Sequence, residues 1–136
     1  MKTLVKTLLL LGVFIAFPYM RLYAQGIVNN GASIKIESGL QLVVSGGGLT
    51  NTNSASLVNE GSIILASDLS NINSSSISGN GSWDVSGNWN NQSFFYPGSS
   101  KVNLRASDAT NISSSGSSFY DLNIDKGLSP GLSLLD

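Results

Sequence analysis

The chain has 136 residues with seven basic and eight acidic side chains, and it contains neither cysteine nor histidine. The missing thiols exclude a disulfide framework and thiolate chemistry, and the missing imidazoles remove the commonest general base and metal ligand. Lys2, Lys6 and Arg21 fall within the first 24 residues, so the remainder keeps four bases against eight acids, four minus eight giving minus four, which argues against a nucleic-acid partner.

Lys2 and Lys6 open a charged n-region, Leu8 to Phe17 is an almost unbroken apolar run, and Leu22-Tyr23-Ala24 supplies a small residue before Gln25. This is the pattern of a cleaved signal peptide over residues 1–24. An apolar run of about ten residues falls short of the ~20 that a spanning helix needs, so no transmembrane segment is expected after cleavage. No cysteine follows the run to carry a lipid anchor.

From Gly26 onward Ser, Gly and Asn are frequent, yet apolar residues return in alternating pairs, which is a strand signal of period two. The first such segment, Gly31-Ala32-Ser33-Ile34-Lys35-Ile36, precedes Leu42 too closely for a full repeat and reads as an irregular N-terminal cap. The pairs that follow are Leu42 with Val44, Ile63 with Leu65, Trp83 with Val85, Val102 with Leu104, and Leu122 with Ile124, at steps of 21, 20, 19 and 20. Leu49, Leu69 and Trp89 form a second column, and Leu57, Ile77 and Phe95 a looser third. Three short strands per repeat is the implied unit.

Residues 25–126 are therefore expected to form an all-β fold, a short right-handed parallel β-helix (solenoid) with coils of about 20 residues. One coil holds too few apolar side chains for a core, but coils stacked at about 4.8 Å share a continuous one. Asn30-Gly31, Asn80-Gly81 and Ser86-Gly87 are placed at corners, where positive φ is required and where stacked Asn or Ser can build side-chain ladders. The competing fold is a β-sandwich, which regular short strands also suit but which requires no constant step. Residues 127–136 break the repeat and are read as an irregular tail of a truncated chain.

The segment Gly-Ser-Trp-Asp-Val-Ser-Gly-Asn-Trp-Asn-Asn at 81–91, with Ser118-Phe119-Tyr120-Asp121-Leu122-Asn123-Ile124-Asp125-Lys126, resembles the repeat passenger regions of large secreted proteins of Bacteroidota. The resemblance covers most of the chain behind the leader. It implies an adhesin-type β-helix exported by the type IX system, secreted or held on the extracellular face of the outer membrane by a separate C-terminal sorting domain. No sorting domain is recognisable before Asp136.

Candidate sites are few. Asp68, Asn88 and Asp108 recur at steps of 20 and suggest a column of oxygen ligands, although calcium needs six to eight of them. Asp84, Asp108, Asp121 and Asp125 offer carboxylates for glycoside chemistry but no long loop to build a cleft around a pair. No catalytic, cofactor-binding or metal site is therefore assigned, and the chain is read as no enzyme. Trp83 and Trp89 fall in apolar columns and are expected in the core. Phe94, Phe95 and Tyr96 are different, because three successive aromatics on a strand cannot all face inward, and they are assigned as a contact surface for an extracellular glycan or protein. The leading functional expectation is a non-enzymatic secreted or cell-surface β-solenoid scaffold, an adhesin-like stalk or passenger fragment. The alternatives are a curli-like fibre subunit that self-associates edge to edge, and a fragment of a secreted carbohydrate-active enzyme.

Overall fold

A computed structural model describes residues 26–105, 110–125 and 131–135; the leader at 1–24, Asp108 and residues 126–130 lie outside them. Alternating small polar and apolar residues produce fifteen short strands and no helix among the described residues. The first coil holds β1 (Ile27–Asn30), β2 (Ser33–Ile36) and β3 (Gln41–Val44), and the second holds β4 (Leu49–Thr52), β5 (Ser56–Asn59) and β6 (Ser62–Leu65). The third contains β7 (Leu69–Asn71), β8 (Ser76–Ser78) and β9 (Ser82–Val85), and the fourth β10 (Trp89–Asn91), β11 (Phe94–Tyr96) and β12 (Lys101–Leu104). The fifth contributes β13 (Thr110–Ser113) and β14 (Asp121–Ile124), and β15 (Leu132–Leu134) follows.

Each strand pairs in parallel with its counterpart one coil away, building three sheets in the orders β1-β4-β7-β10-β13-β15, β2-β5-β8-β11 and β3-β6-β9-β12-β14. The fold is a parallel β-solenoid of about five turns with about 20 residues per coil. A sandwich of antiparallel sheets is excluded by this pairing. Parallel sheets usually read as unbroken apolar runs because both faces are covered. Here only the inner face is covered, so β5, β6 and β9 alternate strictly between half-buried and buried residues.

All three columns stack as the spacing predicts. Leu42, Ile63, Trp83, Val102 and Leu122 are aligned partners in the third sheet, Leu49, Leu69 and Trp89 in the first, and Leu57, Ile77 and Phe95 in the second. Burying a Leu or Ile of this kind contributes roughly 1.5–3 kcal/mol. Trp83 and Trp89 are 1 % and 0 % exposed and meet edge to face with centroids 5.8 Å apart.

A second element of the interior is polar. Asn29, Asn51, Asn71 and Asn91 lie one above another inside the first corner; each Nδ2 donates to the next Oδ1, at 2.9, 2.9 and 2.7 Å. The last of them donates to the Ser114 carbonyl at 2.9 Å. Spare amide hydrogens reach carbonyls of the following strands, Asn51 to Ser76 at 2.9 Å and Asn71 to Phe94 at 3.0 Å. The ladder thus satisfies carbonyls at a corner where the backbone leaves the sheet.

Four sequence expectations change. Ser33–Ile36 is no cap: it is β2, paired with β5 through Ile34 and Leu57. The short interval to Leu42 is the ordinary distance between the second and third strands of one coil. Within the tail expected to be irregular, Leu132–Leu134 continues the first sheet on β13, because its apolar-polar-apolar alternation suits a strand edge. The fifth coil has no second strand, so the three-strand unit is not universal. Finally, of the three corner glycines only Gly31 has a positive φ, at 73°. Gly81 is required by space instead, since a Cβ there would lie 2.7 Å from Asn59 Oδ1, which accepts a hydrogen bond from Gly61 N.

Candidate contact surface

Strand alternation divides the aromatic triplet of β11. Phe95 points inward, is 5 % exposed, and packs against Trp89 at 5.2 Å and Phe119 at 5.6 Å between ring centroids. Its ring belongs to the core and only borders the assigned surface from beneath, because the inner position of the second sheet beside Ile77 takes an apolar residue. Phe94 and Tyr96 point outward and are 51 % and 59 % exposed. Their rings are parallel to within 4°, with centroids 6.3 Å apart.

The register shows how unusual these two residues are for their positions. Phe94 aligns with Ser76 and Ser56, and Tyr96 with Ser78 and Val58. The outer row of Phe94 thus carries Ser33, Ser56 and Ser76 and that of Tyr96 carries Lys35, Val58 and Ser78, so large rings enter this face only at β11. β11 is also the terminal strand of its sheet. The fifth coil passes it in a turn, closed by a Ser117 N to Ser114 O bond of 3.0 Å, after which the Phe119 ring packs inward on Trp89. Between β11 and that turn lies an open groove of about 370 Å³, lined by the three aromatics Phe94, Phe95 and Tyr96 and by Ser74, Gln92, Ser93, Ser115 and Ser117. Ser93 Oγ donates to the Ser75 carbonyl at 2.7 Å, and Gln92 Nε2 to Asn90 Oδ1 at 3.1 Å, so the rim is ordered and uncharged.

The expected oxygen column assembles differently. Asp68 Oδ1 accepts from Asn88 N at 2.7 Å, and Asn88 Oδ1 accepts from Asn111 N at 2.8 Å. The alignment of Trp89 with Ile112 makes Asn111 the neighbour of Asn88, a step of 23 in place of 20. Asp108 itself is outside the described residues. With one carboxylate among the described residues, and with Asp68 Oδ1 and Asn88 Oδ1 each engaged by a backbone N–H, the column serves as a corner clamp. A second groove of about 340 Å³ overlies it on the first sheet.

Of the other candidate carboxylates, Asp84 and Asp121 lie on the outer face of the third sheet. The Lys101 ammonium lies 3.8 Å from Asp121, and the Arg105 guanidinium 3.0 Å from Asp84 Oδ1. That Asp84 oxygen has no aligned hydrogen bond, so the second pair is coulombic in character. Asp84 aligns with Asn103 and Asn123, whereas Asp121 aligns with Lys101 and Ser82, which sets the two acids in different rows. Among the described residues no three His, Cys, Asp or Glu side chains come together as a metal site, and no helix is long and apolar enough to cross a membrane. No family model, curated protein or solved structure matches the chain, so its function is argued from this geometry.

Proposed function

We propose that the chain is an exported, non-enzymatic scaffold that extends and presents a surface outside the cell, in the manner of an adhesin stalk. The observation that carries this reading is the parallel stack: each of the first four coils lengthens all three sheets by about 4.8 Å without adding a new core. The leader-like start and the resemblance of residues 81–91 and 118–126 to secreted Bacteroidota passengers support export to the cell surface. Phe94 and Tyr96 are the contact surface in this reading.

The test is an epitope placed in the exposed Ser38-Gly39 turn of the full chain, followed in the native host. Cleavage after Ala24 and loss of the epitope when intact cells are treated with protease are expected. An epitope that stays protected inside cells on an unprocessed chain refutes the proposal. A second reading, assembly into fibres, is favoured by the second sheet, whose order ends at β2 with no strand beyond it among the described residues. Open strand edges template further pairing. Thioflavin-positive fibres grown from the purified chain would promote this reading, and a monodisperse monomer at high concentration would set it aside.

A further inference from the structure

We infer that the parallel rings of Phe94 and Tyr96, with the groove beside them, bind a neutral glycan. The inference deepens the scaffold reading by naming what its contact surface meets.

The starting point is the cost of the two rings where they stand. Both are more than half exposed, at positions where the adjacent strand β8 carries Ser76 and Ser78. They add nothing to the core, and clustered exposed apolar surface marks an interaction site. Phe95 anchors the strand between them by packing on Trp89 and Phe119, so the rings stand on a fixed base. An aromatic face is electron-rich and attracts the weakly polarised C–H groups on one side of a pyranose.

The rim supplies the complement to the other side of a sugar. Ser74, Gln92, Ser115 and Ser117 bring hydroxyl and amide groups that both donate and accept. No charged side chain borders the groove, so a sulfated or carboxylated glycan, or a nucleic-acid phosphate, finds no cation there. The volume of about 370 Å³ lies at the lower end of the range for ligand sites. A peptide added as a strand to β11 is disfavoured, because the Ser114–Ser117 turn and Phe119 already occupy the flank where it would pair.

The experiment uses the purified full chain on an array of neutral, sulfated, sialylated and uronic-acid glycans and extended peptides, followed by calorimetric titration with the best neutral oligosaccharide. The F94S/Y96S variant installs the serines that β8 carries at the aligned positions, so it is expected to keep the parent's unfolding midpoint. Its affinity should fall about tenfold or more, as loss of two stacked rings implies. The single variants F94S and Y96S, each expected to show part of the loss, keep the test decisive if the double variant folds poorly. Retention of affinity within about twofold, signal confined to anionic glycans, signal confined to peptides, or no glycan signal at all would each overturn the inference. A chain displayed on cells that binds no neutral glycan refutes this inference alone. A chain retained inside cells that still binds one refutes only the scaffold reading.

Discussion

Replacing Asn71 by alanine tests whether the amide ladder stabilises the solenoid. Asn71 is fully buried; it accepts from Asn51 at 2.9 Å and donates to Asn91 Oδ1 at 2.7 Å and to the Phe94 carbonyl at 3.0 Å. Three hydrogen bonds disappear, each with a net value of about 1 kcal/mol, and Asn91 Oδ1 becomes a buried acceptor without a donor, at a further ~1 kcal/mol. The expected loss is about 4 kcal/mol, a large part of the 5–15 kcal/mol typical of a whole domain. Urea unfolding followed by the fluorescence of buried Trp83 and Trp89 measures it. With a slope of about 2 kcal/mol per molar, the midpoint should fall by about 2 M.

Two companion variants make the reasoning refutable. Asn29→Ala removes only two bonds, to Asn51 Oδ1 and the Ser56 carbonyl, and deletes an oxygen that is already buried without a partner, so it should cost about half as much. Asn71→Asp keeps the shape but places a carboxylate in a dry interior, which raises its folded pKa above the unfolded value of about 3.9. Protonated, it can donate to Asn91 Oδ1; ionised, it opposes that oxygen. Its stability should therefore be highest below about pH 4 and fall as pH rises through the folded pKa. A loss under about 1 kcal/mol for Asn71→Ala, or an Asn71→Asp variant as stable at pH 7 as at pH 4, would show that the ladder is not a stabilising element.

Trp89→Ala removes the centre of an aromatic cluster that touches Trp83, Phe95 and Phe119, and should cost about 3–5 kcal/mol and abolish most near-ultraviolet dichroism. Gly81→Ala should lower the thermal midpoint more than Gly39→Ala does. At Gly81 the added methyl meets the Asn59 amide, whereas at Gly39 it meets open space and only the φ of 82° resists it, at about 1 kcal/mol. Ser54→Gly should stabilise the chain by up to about 1 kcal/mol, because Ser54 holds a φ of 59° that a Cβ disfavours. Equal or lower stability in matched melts would count against that account of the corner.

Much of the fold was legible because inward positions repeat. Leu42, Ile63, Trp83, Val102 and Leu122 declared the third sheet and its register outright. The ladder was present in the same numbering: Asn29, Asn51, Asn71 and Asn91 each follow an apolar column residue, Ile27, Leu49, Leu69 or Trp89, by two. A ladder of stacked Asn at a corner was expected, but not which residues form it, because asparagine is also an ordinary corner residue and its spacing alone does not separate an inward amide from an outward one. The exposed aromatic pair was legible as a segment only. Three consecutive aromatics required at least one outside, and which of them faced outward awaited the phase of β11 against β8.

Local chemistry decided that this chain forms short strands with one apolar face, since side chains alternate with a period of two whatever the strands pair with. It also set the mean step of about 20. The tertiary structure decided what depends on closing each coil: steps that range from 18 at Ile77 to Phe95 up to 23 at Trp89 to Ile112, the extra or missing residues being taken up outside the paired strands. That closure turned Phe95 inward, left Phe94 and Tyr96 on an edge, and set Asn111 beside Asn88. A sequence repeat fixes which residues are alike, but only packing around the full turn fixes which of them meet.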